Sequence, residues 1–167
     1  MRRVNLGCGK YVLMGFENYD MYPVSSDVKQ IDLNILPLPF KNGSVDYILL
    51  SHVFEHLDVN RYEFMKDIHR ILKTGGVIEI SVPSSILCIE HTMFFIPKQY
   101  FDNICIGKNS KARTCYQKSY CNFYFKKLSV KRNYRDRYSF LFDVFPFLEK
   151  CFPFMCSSEL VWKLEKV

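Results

Sequence analysis

The stretch that most restricts this chain begins at Val4, where Val4-Asn5-Leu6 runs into Gly7-Cys8-Gly9. An apolar triplet followed by Gly-x-Gly reads as a short strand entering a tight turn. Glycines there leave out the Cβ, so backbone N–H groups can approach a ligand closely. Two later segments, Asn18-Tyr19-Asp20 and Gln30-Ile31-Asp32-Leu33, each bring one carboxylate to a strand end. Such carboxylates can accept hydrogen bonds from ribose hydroxyls and from an adenine amine. The order points to a nucleoside-containing cofactor on a Rossmann-like sheet.

A chain of 167 residues is long enough for one domain with a real core. No apolar run reaches the roughly 18 residues of a membrane span. Met1-Arg2-Arg3-Val4 enters a strand at once, so no signal peptide is expected. The seven cysteines are odd in number and form no Cys-x-x-Cys pair. That argues against structural zinc and a secreted disulfide framework, and for reduced, buried thiols in a cytoplasmic protein. Charge is uneven. Residues 1–83 carry nine basic and ten acidic residues, net −1, and residues 84–167 carry fourteen and seven, net +7. The second half is therefore suited to an anionic partner.

Strand patterns fall at about Arg3–Leu6, Phe16–Asp20, Val28–Asp32, Val45–Leu50 and Val77–Val82, the last ended by Pro83. The first two lie too close for a crossover helix, since a βαβ connection needs about 10–12 residues or more. A loop with at most one helical turn is expected there. The spacing of Met65, Ile68, Ile71 and Leu72 predicts a helix over Arg61–Lys73. Asn60 and Glu63 form its capping box, and Gly75-Gly76 stops it. Beyond Pro83 a short helix over Pro97–Ile104 and strands over Asn122–Asn133 and Glu159–Glu165 are expected.

These pieces in order resemble the class I S-adenosylmethionine-dependent methyltransferases, and within them the small type 11 kind. The residues that carry the likeness are Asn5–Gly9, Asn18–Asp20, Asp32–Asn34, Leu38–Phe40, Asp46–Ile48 and Glu55–Leu57, followed by Arg70–Gly76 ahead of the fifth strand. The resemblance covers roughly the first half of the chain. It implies an α/β fold: a mainly parallel seven-stranded sheet with the last strand antiparallel and, here, few helices. It implies one domain over 1–167, with a cofactor half (1–83) and a substrate or interaction half (84–167). S-adenosylmethionine would be the cofactor. Gly7, Cys8 and Gly9, with Asn5 and Leu6 leading in, would cradle its methionine part. Asp20 would hold the ribose hydroxyls, with Met21 beside the adenine. Asp32 would accept from the adenine amine, with Leu33 N–H on the ring. Ser51 and His52 would border the sulfonium, with His52 as a base toward the acceptor. The chain departs from the family at Asn5 and Tyr11, where an acidic residue and a third glycine are usual. That departure motivates an alternative, a non-catalytic domain that binds a nucleoside or a protein partner.

Other patterns are weaker. Gly7-x-Gly9 is not a dinucleotide fingerprint, which would need glycine at Val12; a nicotinamide dehydrogenase is thus a third reading. His52-Val53-Phe54-Glu55-His56 matches a zinc-peptidase pattern, but it follows a parallel strand rather than lying on a long helix, so no metal is expected. His91 is either a substrate-facing or an ordinary loop residue. Residues 108–138 hold ten basic side chains against Asp136 alone, interleaved with tyrosines and phenylalanines. A nucleic-acid surface would look like this. A solvated basic face with core aromatics is the favoured reading, because no RNA-binding signature accompanies it. Tyr138–Met155, dense in Phe and Leu, reads as a homodimer contact or a pocket wall. The acceptor itself is not legible.

Overall fold

The structure, a computed structural model, describes residues 1–83, 96, 98–106, 122–134 and 158–167. His91, Tyr138–Met155 and most of the basic 108–138 stretch lie outside the described residues. The strands are β1 (Arg3–Leu6), β2 (Glu17–Asp20), β3 (Val28–Gln30), β4 (Val45–Ser51), β5 (Leu72–Pro83), β6 (Cys105–Ile106), β7 (Phe125–Tyr134) and β8 (Ser158–Lys166). A helix, α1 (Arg61–Ile71), and two 3₁₀ turns, Phe54–His56 and Tyr100–Ile104, complete the described elements. The strands form one sheet in the order β3-β2-β1-β4-β5-β8-β7-β6. Neighbours run parallel except at β8, which is antiparallel to both β5 and β7.

The last strand is thus antiparallel as the resemblance implies, but the sheet formed by the described residues has eight strands rather than seven. The additional one is the two-residue β6 on the far edge. So short a segment carries no periodicity of its own. It forms because the turn before it, seated by buried Phe101 and Ile104, delivers the chain alongside Phe125 and Lys126.

Successive residues of a strand face opposite sides, and here the two sides differ sharply. One cross-sheet row reads Tyr19, Leu6, Leu50, Ile80, Trp162, Val130. It belongs to the core, where Phe64, Met65, Ile68 and Ile71 of α1 are also buried. One residue away, on the opposite face, the row reads Asn18, Asn5, Leu49, Glu79, Lys163, Ser129. Glu79 is ion-paired to Lys163 at 2.8 Å and also accepts from the Tyr47 hydroxyl. A face built of amides and paired charges offers a crossover helix little apolar surface. That agrees with the short connection from β1 to β2, which forms turns and no helix.

The helix starts where its cap predicts: the Asn60 side chain accepts from the N–H groups of Tyr62 and Glu63 at 3.0 and 3.2 Å. Its end is a correction. It stops at Ile71 rather than Lys73, and Leu72 is already extended and paired with Val45. The register then jumps, so that Val77 faces Tyr47. Gly75 (φ +76°) and Gly76 belong to the irregularity that absorbs the extra residues. A Cβ on Gly76 would stand 2.8 Å from the Lys73 carbonyl. The glycine pair therefore serves the strand's entry and does not cap the helix. Asp67 and Arg70 of α1 clamp the preceding loop: Asp67 accepts from Leu38 N–H at 2.8 Å, and Arg70 donates to the carbonyls of Leu38 and Phe40 at 2.9 and 2.7 Å.

Candidate active site

Parallel sheets bind ligands beyond the carboxyl ends of their strands, at the point where strand order reverses. That point lies between β1 and β4, and two adjoining clefts open there. The smaller, about 300 Å³, is lined by Gly7, Asp20, Met21, Asp32, Leu33 and His52 among others. The larger, about 670 Å³, is lined by Asn5, Gly7, Cys8, Gly9, Ser51 and His52 among others. Gly7 and His52 belong to both. Of the residues expected above to touch the cofactor, all line one of these clefts except Leu6, which is fully buried in the core beneath the turn.

The glycine turn is tied to β2. Gly7 and Cys8 N–H both donate to the Tyr19 carbonyl, at 2.8 and 3.0 Å, and Gly9 N–H donates to Asp20 Oδ2 at 2.7 Å. Gly7 (φ +70°) also has no room: a Cβ there would stand 2.4 Å from Val53 Cγ2. Close approach of the β1 turn to the segment after β4 brings the two clefts together. Gly9 differs, since no atom lies within 4 Å of where its Cβ would stand. A side chain at Gly9, in the larger cleft's wall, would project into open space. Cys8 is buried, and that burial, with the Asp20 charge, pushes its thiol above the ordinary value. It is a packing residue rather than a reactive thiolate.

In place of a crossover helix, two amides hold the 7–16 loop. The Asn5 Nδ2 donates to Tyr11 O at 3.2 Å and to Asn18 Oδ1 at 3.0 Å. Asn18 Oδ1 also accepts from Leu13 N–H, and Asn18 Nδ2 donates to the carbonyls of Leu13 and Phe16, all at 3.0–3.1 Å. Both amides are buried. The departure from the family's acidic residue has a physical reason, because a carboxylate has no N–H to give these oxygens.

The acids retain capacity for a ligand. Asp20 Oδ2 accepts from Gly9 N–H and Oδ1 from Tyr22 N–H at 2.9 Å. A carboxylate has about four lone-pair sites, so each oxygen keeps one, which suits a vicinal diol. Asp32 Oδ1 accepts from Asn34 N–H at 2.8 Å, and among the described residues Oδ2 has no donor. The residues present therefore fit a nucleoside with a ribose diol and an exocyclic amine.

At the other end of the smaller cleft His52 has a left-handed backbone (φ +56°), rare outside glycine and a mark of local strain. Its N–H donates to Ser81 O at 2.8 Å. Its ring lies between two carboxylates, with Nδ1 3.7 Å from Glu55 Oε1 and Nε2 3.0 Å from Glu159 Oε2. The 3.7 Å separation is that of an ion pair rather than a hydrogen bond. Glu55 foremost, with Glu159 adding, holds the imidazole above the ordinary histidine value against the opposing effect of burial. Glu55 itself is 1% exposed, and among the described residues neither of its oxygens has a hydrogen-bond donor. Glu55 and His56 lie on a three-residue 3₁₀ turn and His52 lies before it, so the zinc-peptidase arrangement on one helix does not form. Sequence reasoning missed Glu159, Ser81 and Asn133 around this ring. Their grouping depends on strand pairing and leaves no local signal.

Comparisons with known proteins bear on the fold that carries these clefts. Residues 17–80 match the family model described as a methyltransferase domain. Ribosomal RNA-processing protein 8 of Caenorhabditis briggsae is 28% identical over 106 residues, 59% of this chain but 31% of that protein's length. Two solved structures share the fold along 99% of this chain. The complex of the Haloferax volcanii Trm112 methyltransferase activator with its methyltransferase matches at TM-score 0.54, 15% identity and 82% of that chain. Streptomyces coelicolor geranyl diphosphate C-methyltransferase, solved with S-adenosyl-L-homocysteine, matches at TM-score 0.60, 12% identity and 73% of that chain. The matched relative spans much more sequence than this chain does.

Proposed function

We propose that this chain, a member of the class I S-adenosylmethionine-dependent methyltransferases of the type 11 kind, binds S-adenosylmethionine across the two clefts and transfers its methyl group to an acceptor near the tips of β4, β5 and β8. The observation that carries the reading is the convergence of the Gly7–Gly9 turn, Asp20 and Asp32 on one pair of joined clefts. When bound, the cofactor supplies an electrophilic methyl group on a sulfonium. The chain's part is to hold, align and exclude water, and alignment of this kind is worth roughly 7–11 kcal/mol of a barrier.

In this reading the backbone of Gly7, Cys8 and Gly9 cradles the methionine part, beside Asn5, with Leu6 setting the turn from below. Asp20 accepts the ribose hydroxyls, and Met21 covers the adenine. Asp32 Oδ2 accepts from the adenine amine and Leu33 N–H faces the ring. Ser51 and His52 border the reacting end. For an oxygen or nitrogen nucleophile His52 takes up a proton at a ring nitrogen, a contribution of roughly 10²–10⁴-fold. Its raised pKa means that the proton-accepting form grows in as pH rises through a value above that of an ordinary histidine.

We assign residues 1–83 to the cofactor and 84–167 to the acceptor within one domain, and the +7 balance of the second part to an anionic acceptor. The similar protein named for ribosomal RNA processing makes RNA one acceptor to assay. A protein partner belongs to the same reading. A similar fold is found in complex with an activator protein, and Tyr11 and Met14 of the amide-held loop are 71% and 99% exposed. No helix among the described residues is long and apolar enough to cross a membrane. The buried Cys8 thiol is free, which supports a cytoplasmic assignment.

Calorimetry with S-adenosylhomocysteine tests the site. Asp20→Ala and Asp32→Ala should each weaken binding by about 1–3 kcal/mol, as lost hydrogen bonds to charged groups do. Unchanged affinity in both variants would remove the adenosine from these clefts. Labelled methyl transfer to RNA, metabolite and lysate panels tests the reaction. The use of the Asn5 amide to hold the loop favours one second reading, a domain that binds the nucleoside without transfer. Binding with no transfer to any panel would support it.

A further inference from the structure

The glycine turn spends its own donors inside the protein. The N–H groups of Gly7 and Cys8 go to the Tyr19 carbonyl, that of Gly9 to Asp20 Oδ2, that of Tyr11 to the Cys8 carbonyl at 2.9 Å and that of Leu13 to Asn18 Oδ1. Asn5 Nδ2 gives its two hydrogens to Tyr11 O and Asn18 Oδ1. The turn therefore bounds the larger cleft by shape, while these donors are already engaged. The Gly9 bond also brings the Asp20 carboxylate up to the turn, and a second carboxylate arriving there meets a like charge. An amino-acid carboxylate in this cleft needs a cation beside it.

Lys10 supplies one. It follows Gly9 directly, and it is the one lysine or arginine among the described residues that line the larger cleft. That lining contains no Asp or Glu among the described residues. The Lys10 Nζ stands 5.6 Å from the centroid of the Tyr11 ring, which lines the same cleft. A ring face at that distance attracts an ammonium. Tyr11 is itself pinned by both backbone groups, its N–H on Cys8 O and its carbonyl on the Asn5 amide. The amide that holds the loop thus also fixes the residue against which Lys10 rests.

We propose that Lys10 is a specificity-determining residue of the cofactor site and that it holds the carboxylate of the cofactor's methionine part. Its ammonium offers that group both a compensating charge and a charge-assisted hydrogen bond. The side chain is exposed, so solvent screening keeps the contact modest. The inference rests on the cofactor reading above, which places the methionine part in the larger cleft.

S-adenosylmethionine and its decarboxylated form share the adenosine, the sulfonium and the amine, and differ by that carboxylate alone. Their affinities are to be compared by calorimetry on the full chain. The wild-type protein should prefer S-adenosylmethionine. Lys10→Gln should weaken S-adenosylmethionine by roughly threefold to tenfold while leaving the decarboxylated form within about twofold. Lys10→Arg, which keeps the charge, should keep part of the preference. Lys41→Gln removes the same charge from a lysine that lines neither cleft and lies ahead of β4, and should leave the preference unchanged. A thermal melt checks that the variants are folded. Absence of a preference in the wild type, a preference that survives Lys10→Gln, equal loss of both ligands, or the same loss in Lys41→Gln would each overturn the inference. A wild type that binds neither compound would overturn the cofactor reading and the inference with it, whereas one that binds both alike overturns the inference alone.

Discussion

Asn5→Asp introduces the acidic residue usual in the methyltransferases that this chain resembles and should nonetheless damage this protein. The Asn5 side chain is buried at 3% exposure, and its Nδ2 supplies two hydrogen bonds, to Tyr11 O and Asn18 Oδ1. The substitution removes both donors and sets a carboxylate against two oxygens. Two lost hydrogen bonds amount to about 1–3 kcal/mol. The buried charge adds to this, at about 1.4 kcal/mol for each unit by which the introduced carboxyl is raised. With two units, the total at pH 8 is roughly 4–6 kcal/mol, a large part of a domain's stability. The sign follows from linkage. A carboxyl raised in the folded state is no burden below its unfolded pKa, about 3.9, and the loss grows as pH rises to the folded value. Urea unfolding followed through Trp162, the chain's one tryptophan and fully buried, reads the effect. The variant should lose more at pH 8 than at pH 5, relative to wild type at each pH. A difference within about 0.5 kcal/mol at pH 8, the scatter of neutral surface changes, would refute the claim that this amide holds the loop.

Other perturbations follow from the same contacts. Gly7→Ala should cost about 1–3 kcal/mol from the positive φ alone, and displacement of Val53 should lower cofactor affinity as well; an unchanged melting temperature would remove the close-approach argument. Glu17 receives Arg2 Nε at 2.6 Å, and that bond, opposed by burial and aided by Tyr19 and Lys29, holds its carboxyl down at about 2. Its contribution is present above the unfolded value of about 4.3 and fades as pH falls toward 2. Glu17→Gln should therefore lose about 1 kcal/mol at pH 7, discounted for partial exposure, and nothing near pH 2; an equal loss at both pH values would show that the ion pair is not the cause. Imidazole resonances should show His52 titrating above an ordinary histidine and His69, lowered by burial, below it; the reverse order would contradict the placement of Glu55 and Glu159.

The features readable in the sequence are those fixed by local chemistry. A strand running into Gly7-Cys8-Gly9, single acids at Asp20 and Asp32, the Asn60 cap and the apolar run of β4 each announce themselves within a few residues. What could not be read depends on partners far along the chain. Gly75-Gly76 carries the signature of a helix stop, yet Leu72 leaves the helix earlier because Val45 offers it a strand to pair with. Asn5 looks like a weakened ligand contact until Asn18 and Tyr11 stand opposite it. Glu159 is one more acid on a terminal strand until β8 inserts between β5 and β7 and sets it beside His52, 107 residues away in sequence.

The row of Asn18, Asn5, Glu79 and Lys163 also limits how this architecture can grow. Lengthening the connection between β1 and β2 with an amphipathic segment would not seat a crossover helix there, because its apolar stripe would meet a wet, ion-paired floor. Elaboration there would have to remodel the floor first, exchanging Glu79 and Lys163 together, since changing either alone strands the other's charge.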